Sequence, residues 1–278
     1  MSGLPLTVAL ALAEAKAASV DRLDAQLLLV RALACSRSWL LAHDDATLDV
    51  HQAASFRSEL LRRADGEPLA YLVGEKEFHG LMLQVNASVL VPRPETETLV
   101  DWGLELLNGA LANVPCPRVL DLGTGSGAIA LALKHARPLA GVVALDISPD
   151  ALAVARANAQ RLGLAIEFHQ GHWWDGLSGD RFHLIVSNPP YIEPDDPHLV
   201  ALRYEPRIAL TPGGGGLDAL AAIAAGAVDH LEPGGWLLLE HAHDQASAVQ
   251  ALLGRRGFSR SQTRRDLAGR PRCTGAHL

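Results

Sequence analysis

The feature that most constrains the fold is a series of short apolar segments that alternate with helical segments between residues 118 and 258. The segments RVLDLG, GVVALDI and FHLIVS are almost continuously apolar, a pattern typical of strands covered on both faces of a sheet. AIALALKHARP and the stretch after Ser148 have apolar residues at helical spacing, and Ser148 followed by Pro149 is a typical helix start. The alternation predicts a doubly wound α/β domain, which is a Rossmann-like architecture.

The pattern of apolar and turn residues changes twice along the chain and divides it into three predicted parts. Residues 1–70 contain hardly any strand signal and predict a small helical bundle. Residues 71–97 alternate apolar and turn residues, which indicates a β-hairpin connection that ends in two prolines around Arg93. Residues 98–278 form the α/β part, and its last segments, about Ser259 to Asp266 and Arg272 to His277, are predicted to close the sheet as an antiparallel pair.

Individual helical faces in the first part can also be predicted. DRLDAQLLLVRAL places Leu23, Leu27, Val30 and Leu33 at helical spacing. The later segment HQAASFRSELLRRADGEP does the same for four apolar residues, and we read its arginines as a solvated face. The four apolar residues are Ala53, Phe56, Leu60 and Leu61, and the arginines are Arg57, Arg62 and Arg63.

Composition and charge exclude several classes of protein. A chain that is 49% hydrophobic and 20% charged can build a large core and is not disordered. Its net charge of −7 does not indicate a nucleic-acid partner, because binding to a polyanion is favoured by positive charge. The three cysteines are far apart and the histidines lack metal-ligand spacing, so we expect no disulfide framework and no metal site.

The N-terminal stretch LPLTVALALAEA resembles the apolar core of a signal peptide. However, no Lys or Arg precedes it, and the pattern continues as an amphipathic helix through Lys16. No segment reaches the roughly 18 apolar residues that a membrane-spanning helix needs. We therefore expect a cytoplasmic protein that has no contact with a membrane.

A glycine-rich turn, VLDLGTGSGAIA, follows the first strand of the α/β part. Gly123, Gly125 and Gly127 allow a tight turn and let a ligand approach the backbone at a helix N-terminus. The next strand ends at Asp146, where a carboxylate can accept hydrogen bonds from ribose hydroxyls. The pattern predicts an adenosine-containing cofactor. It fits a dinucleotide as well, although the acidic residue ahead of the glycines, Asp121, is more typical of S-adenosylmethionine enzymes.

A second polar motif, SNPPY, follows the strand FHLIVS at the predicted carboxyl edge of the sheet. The Asn188 side-chain oxygen and the Pro189 carbonyl can each accept one N–H of a planar NH2 group. Adjacent prolines, Pro189 and Pro190, fix the backbone that carries these acceptors, and the Tyr191 ring offers a face for stacking. The motif predicts a site that positions an amide or aromatic NH2 group for alkylation.

These motifs together resemble the peptide chain release factor N(5)-glutamine methyltransferases. The resemblance runs over nearly the whole chain and includes PLAYLVGEKEFHGL, VPRPETE, LDLGTGSGAIALAL, VSNPPYI, RYEP, LLLEH and RDLAGRPR. It implies an S-adenosylmethionine-dependent enzyme that methylates the glutamine of the Gly-Gly-Gln motif in class 1 release factors. It further implies a helical N-terminal part that helps to bind the release factor, a monomer, and no direct nucleic-acid partner.

The resemblance also implies roles for individual residues. Cofactor binding falls to the glycine loop, to Asp146 and to Trp173 near the adenine, with Trp174 competing for that position. Arg93 and Glu97 would shape the rim of the active site, and a purely structural role is equally open for both. His172 departs from the family pattern, where Asp is common, and leaves Asp175 as a nearby acid. The implied cofactor residues are Gly123, Thr124, Gly125, Ser126, Gly127, Asp146, Trp173 and Asn188, and the implied catalytic and substrate residues are Asn188, Pro189, Pro190 and Tyr191.

Other readings of the motifs remain open from the sequence. An adenine or guanine amino methyltransferase acting on nucleic acid would share both the cofactor and NPPY. It should also have a basic surface or a base-recognition domain, since the target base must be flipped out. A nicotinamide-dependent oxidoreductase would leave NPPY unexplained, and a non-catalytic binding module that keeps the cofactor fold is the third alternative.

Overall fold

A computed structural model describes residues 6–278, which form two compact units that meet at Glu75 and Lys76. Leu4 and Pro5, the first residues of the apolar N-terminal stretch, lie outside the described part. Among the described residues, no helix combines the length and apolarity that crossing a membrane requires.

Within the first unit, residues 6–75 form a bundle of five helices. The first four helices begin at side-chain caps, since Thr7, Asp21, Ser36 and Asp49 each accept a hydrogen bond from a backbone N–H of the first turn. The predicted helical bundle is confirmed. The helices are α1 (Val8–Ala17), α2 (Arg22–Leu33), α3 (Arg37–Ala42), α4 (Val50–Ala64) and α5 (Leu69–Val73).

Two predicted helical faces in this unit need correction. In α2 the buried residues are Ala25, Gln26, Leu28 and Leu29, whereas Leu23 is 44% exposed. In α4 the residue Leu61 is 69% exposed. Leucine occurs on both sides of these helices, so spacing alone assigns the wrong edge of the apolar stripe.

The arginines of α4 each pair with an acid of the same unit. Arg57 bonds Glu14 at 2.6 Å, and Arg63 bonds Asp24 at 2.6 Å. Arg62 likewise bonds Glu67. The side chains are partly exposed, which agrees with a solvated face, and such pairs contribute about 0–1 kcal/mol each.

The second unit is built on a seven-stranded sheet, whose strands are β3 (Arg118–Leu122), β4 (Gly141–Asp146), β5 (Glu167–Gln170), β6 (Phe182–Ser187), β7 (Leu231–Glu240), β8 (Ser259–Arg265) and β9 (Pro271–His277). Their order in the sheet is β5-β4-β3-β6-β7-β9-β8. Strands β3 to β7 are parallel, and β9 lies antiparallel between β7 and β8. The predicted antiparallel closure is therefore confirmed.

Helices cover both faces of this sheet. On one face, Val119 and Leu184 pack in a cluster with α6 (Glu97–Asn108), α7 (Ala128–Ala136) and α8 (Pro149–Leu162). On the other face, Leu120 and Ile185 pack with α9 (Asp218–His230) and α10 (Ala246–Arg255). Alternate strand residues enter opposite clusters, which explains the continuously apolar strands and confirms the doubly wound Rossmann-like fold.

A small hairpin precedes the main sheet, as predicted. Its strands are β1 (Glu75–Phe78) and β2 (Leu81–Gln84). His79 and Gly80 form the turn with positive φ angles of 50° and 77°. The functional division at residues 70 and 97 stays a prediction.

Candidate active site

Two loops leave the sheet from neighbouring strand ends. In the parallel β3–β6 pair, Leu122 is the register partner of Ser187. The Ser187 hydroxyl donates to the Leu122 carbonyl at 2.7 Å, which fixes the two ends together. The glycine loop begins one residue later at Gly123, and the NPPY loop begins one residue later at Asn188. The carboxyl edge of the sheet therefore brings the two predicted motifs to one place.

A cavity of about 390 Å³ lies at this edge. Its volume is within the usual range for a small-molecule site. Part of its wall comes from β1, from residues between 88 and 96 and from residues between 206 and 212. The predicted site residues in its lining are Gly123, Thr124, Gly125, Ser126, Asp146, Trp173, Asn188 and Pro190.

The glycines of the turn are needed for their backbone geometry. Gly123, Gly125 and Gly127 have φ angles of 72°, 55° and 84°, a region that other residues rarely adopt. Gly127 is the N-cap of α7, and a Cβ there would lie 3.0 Å from Leu131 Cδ1. Gly127 is outside the cavity lining, and a Cβ there would crowd Leu131 of α7 and Ala155 of α8, whereas Gly123 and Gly125 line the cavity.

Asp146 is locked to the glycine loop. Its Oδ2 accepts from Gly125 N at 2.8 Å, and its Oδ1 accepts from Ser148 N at 2.9 Å. The side chain is only 9% exposed. Burial raises the pKa of Asp146, and the backbone hydrogen bonds oppose that shift. Each carboxylate oxygen keeps acceptor capacity for a ligand hydroxyl.

Trp173 and Trp174 have different positions. Trp173 lines the cavity, with its ring edge 3.7 Å from the place of a Cβ on Gly123. Trp174 lies elsewhere, where its Nε1 donates to the Ala222 carbonyl at 3.1 Å and its ring stacks on His230. The geometry favours Trp173 as the aromatic side chain beside a bound ligand.

His172 also lines the cavity, while Asp175 accepts from the His172 backbone N–H at 3.1 Å. Asp175 is absent from the described lining. Asp175, the acid near His172, therefore shapes the turn and is not part of the cavity lining.

Asn188 has a defined amide orientation. Its Nδ2 donates to Thr96 Oγ1 at 3.2 Å. The oxygen and nitrogen of a carboxamide lie on opposite edges, so donation through nitrogen leaves Oδ1 as an acceptor for another group. Asn188 is part of the cavity wall, so this acceptor is available at the site.

Pro189 and Tyr191 are not among the residues that line the cavity. Pro189 is buried, and Tyr191 packs against the cluster that contains α9 and α10. The Tyr191 hydroxyl donates to Glu240 Oε1 at 3.2 Å, and its carbonyl accepts from Gln245 Nε2 at 3.1 Å. Tyr191 therefore anchors the loop from behind, and its predicted stacking role stays a prediction.

The predicted rim residues have separate roles. Arg93 lines the cavity and pairs with Glu205, which also accepts from Val91 N at 3.0 Å. This connects the PRPETE and RYEP segments of the sequence. Glu97 instead accepts from His79 N at 2.9 Å and holds the β1–β2 turn, which is the structural alternative.

Four residues that support the site were not assigned a role from sequence: Thr96, Asn158, Glu240 and Gln245. Asn158 is fully buried, and its Nδ2 donates to the carbonyls of Ser126 and Gln84, both at 3.0 Å. A polar residue within an apolar helix or strand, such as the Glu in LLLEH, is the signal in the sequence for such a supporting residue. The signal does not show which residue it bonds.

Two family models match the chain. The methyltransferase small domain matches residues 96–255, and the PrmC N-terminal domain matches residues 8–74. A release factor glutamine methyltransferase of Xylella fastidiosa is 48% identical over 95% of this chain and 96% of its own length. One of Bordetella pertussis is 49% identical over 93% of this chain and 96% of its own length.

The chain belongs to the release factor glutamine methyltransferase family.

Solved structures agree with this family at the level of fold. A methyltransferase from Pyrococcus furiosus has a TM-score of 0.53 at 18% identity, over 79% of this chain and 98% of its own. The 16S rRNA N2 G1207 methyltransferase of T. thermophilus, in complex with AdoMet and guanosine, has a TM-score of 0.54 at 21% identity. That match covers 73% of this chain and 49% of the other. The fold of this family is therefore a general methyltransferase fold.

Proposed function

We propose that Asn188 Oδ1 and the Pro189 carbonyl hold the two N–H groups of the substrate glutamine of a release factor. The observation that carries the proposal is the Asn188–Thr96 hydrogen bond of 3.2 Å, which leaves Oδ1 as an acceptor in the wall of the cavity. The oxidoreductase reading gives no use for an oriented amide at this place. Family membership does not favour the nucleic-acid alternative.

As a member of its family, the chain is an S-adenosylmethionine-dependent protein-glutamine N-methyltransferase. The residues present fit this cofactor, since the cavity combines an open glycine turn, an oriented acid and an indole ring. We assign ribose binding to Asp146, the methionine portion to the loop from Gly123 to Gly127, and the adenine side to Trp173. When bound, S-adenosylmethionine supplies an electrophilic methyl group.

The contribution of the protein to methyl transfer is mainly positioning. An amide nitrogen is a weak nucleophile because its lone pair is delocalised into the carbonyl. Two fixed acceptors on its N–H groups favour the positive charge that develops on nitrogen and hold the group in one orientation. The nitrogen would gain the methyl group as the methyl–sulfur bond of the cofactor breaks and leaves a neutral thioether. The N–H proton that methylation acidifies would pass to water, so no strong base is needed.

Further parts of this proposal concern partners and place. The helical unit is assigned to binding the release factor, and the enzyme is assigned to the cytoplasm, where release factors act. A monomer without a nucleic-acid partner is the simplest form of the proposal. Gel filtration combined with light scattering tests whether the enzyme is a monomer. Labelling of RNA and DNA tests whether nucleic acid is a partner.

The experiment that tests the function is methyl transfer from labelled S-adenosylmethionine to four separate acceptors. These are a release factor, the same factor with Gly-Gly-Ala in place of Gly-Gly-Gln, total RNA and DNA. We expect label on the first acceptor alone. Label on the Gly-Gly-Ala protein would show that the glutamine is not the methylated residue. Label on nucleic acid alone would establish a nucleic-acid amino methyltransferase instead.

A further inference from the structure

A buried amide lies behind the glycine loop, outside the described lining of the cavity. Asn158 is fully buried and belongs to the buried face of α8, whose other members are alanine, leucine and valine. Because a polar side chain is costly to bury, an apolar residue would suit this position better if only the core mattered. The hydrogen bonds of the amide therefore indicate its role.

Three backbone groups fix the orientation of the Asn158 amide. Its Oδ1 accepts from Gln84 N at 2.7 Å, and its Nδ2 donates to the carbonyls of Gln84 and Ser126, both at 3.0 Å. A backbone N–H only donates and a carbonyl only accepts, so the opposite orientation of the amide would lose all three bonds. The amide therefore has one defined orientation, with an acceptor for each of its two hydrogens.

The Ser126 carbonyl belongs to the glycine loop. The Ser126–Gly127 peptide is held at both ends, since its carbonyl accepts from Asn158 and its N–H donates to the Thr124 carbonyl at 2.9 Å. Gly127 has a φ of 84° and, without a Cβ, can adopt negative φ angles as readily. The peptide can thus rotate at little intrinsic cost, and the bond to Asn158 keeps its carbonyl directed at a residue outside the cavity lining.

The other partner of the amide is the end of β2. Gln84 is the last residue of this strand, and Asn158 bonds both its N–H and its carbonyl, as a neighbouring strand would. The chain then leads to residues 88–90, which line the cavity. One side chain therefore joins the glycine loop to a segment that forms another part of the cavity wall.

We propose that Asn158 is a positioning residue for the cofactor. It holds the Ser126–Gly127 peptide in the orientation that the methionine portion of S-adenosylmethionine requires, and the end of β2 serves as its fixed support. The inference rests on the proposed function in one respect, the assignment of the glycine loop to that portion of the cofactor.

Asn158→Asp in the full-length enzyme tests this role with little change of shape. The carboxylate keeps the acceptor for Gln84 N but places an oxygen against two carbonyls, which then lack their donor. Affinity for S-adenosylhomocysteine, measured by titration calorimetry, should fall by roughly tenfold or more, since buried groups left without partners are costly. Unchanged affinity in the folded variant would overturn the inference.

A second ligand separates positioning from a general loss of structure. 5′-Methylthioadenosine shares the adenosine and the thioether of S-adenosylhomocysteine and lacks the amino-acid portion. Its affinity for Asn158→Asp should stay within about threefold of the wild-type value, because the substitution acts on the methionine side of the loop. A comparable loss for both ligands would mean that the whole site is distorted and would contradict the proposed role.

Arg161→Gln is the matched control. Arg161 lies three residues later on α8, and its Nη2 donates to the Met82 carbonyl of β2, so it also connects this helix to the hairpin. Its substitution should leave the affinity for both ligands within about twofold of the wild-type value. A loss of S-adenosylhomocysteine affinity as large as in Asn158→Asp would show that the hairpin connection alone matters, and would overturn the role at the Ser126–Gly127 peptide.

Asn158→Ala covers the case in which the Asp variant does not fold. It removes the amide without adding charge, and it should also weaken S-adenosylhomocysteine more than 5′-methylthioadenosine. Circular dichroism checks folding in each variant. A wild-type enzyme that binds no S-adenosylhomocysteine would overturn the cofactor assignment, whereas wild-type binding with unaffected variants would overturn the positioning role alone. Because no release factor is present, the result is independent of the proposed substrate.

Discussion

At the scale of single residues, Asp146 joins the proposed cofactor site to the fold. Its two oxygens accept from Gly125 N and Ser148 N, so one carboxylate orients the glycine loop and the start of α8. We predict that Asp146→Ala weakens S-adenosylmethionine binding by roughly tenfold or more, because a charge-assisted hydrogen bond contributes about 1.5–3 kcal/mol. Titration calorimetry measures this effect, and unchanged affinity would remove Asp146 from the cofactor site.

A second acid, Asp121, makes stability depend on pH. It is fully buried, and its Oδ2 accepts from Thr124 Oγ1 at 2.7 Å, while Oδ1 has no partner. Burial raises its pKa from 3.8 to about 7. The folded protein therefore keeps a proton that the unfolded chain has released between these pH values. The resulting stabilisation is complete below pH 3.8, declines as the pH rises, and is lost above about pH 7.

We predict that the free energy of unfolding of the cofactor-free protein falls as the pH rises from 5 to 8. The contribution of Asp121 is on the order of 2–4 kcal/mol, and Glu240 adds to the same trend because burial raises its pKa similarly. Asp121→Asn should reduce the slope. Urea unfolding at several pH values measures it, and an identical slope in the variant would show that Asp121 does not carry the proton.

At the scale of elements, the NPPY loop packs on a glycine-rich segment that could not be assigned from sequence. A Cβ on Gly216 would lie 2.6 Å from the Tyr191 carbonyl oxygen and 3.0 Å from Gln245 Nε2. The contact is too short for any side chain, so the segment must contain glycine where it meets the loop.

We predict that Gly216→Ala displaces the NPPY loop, lowers kcat, and destabilises the protein by about 1–3 kcal/mol. Gly215→Ala is the matched control, since the nearest atom to its Cβ would be Asp218 Oδ1 at 3.6 Å. Thermal unfolding and labelled methyl transfer measure both variants. Equal behaviour of the two would mean that the loop tolerates the displacement.

The same scale shows what the sequence can predict. Continuous apolar strands, the cap at Ser148 and the glycine turn are local signals, and each predicted the element that the structure contains. The hydrogen bonds of Asn188 with Thr96 and of Tyr191 with Glu240 span 92 and 49 residues. Spacing in a single sequence carries no information about such pairs. It also misassigned Leu23 and Leu61, whose exposure is set by packing with other helices.

At the scale of the whole molecule, each unit has its own core. Every described residue of the cavity lining belongs to the second unit. We predict that a chain starting at Lys76 still binds S-adenosylmethionine, while its kcat/KM for the release factor falls by at least about tenfold. Circular dichroism and calorimetry check folding and cofactor binding. Full kcat/KM in the shortened chain would exclude the helical unit from substrate recognition.

We propose above all that the Asn188 oxygen holds the NH2 group that receives the methyl. The most direct measurement is the single-turnover rate of methyl transfer to a release factor by Asn188→Ala, with cofactor affinity measured on the same preparation. We predict that the rate falls by at least about a hundredfold while cofactor affinity changes by less than about tenfold. A wild-type rate in this variant would mean that the glutamine amide is held elsewhere.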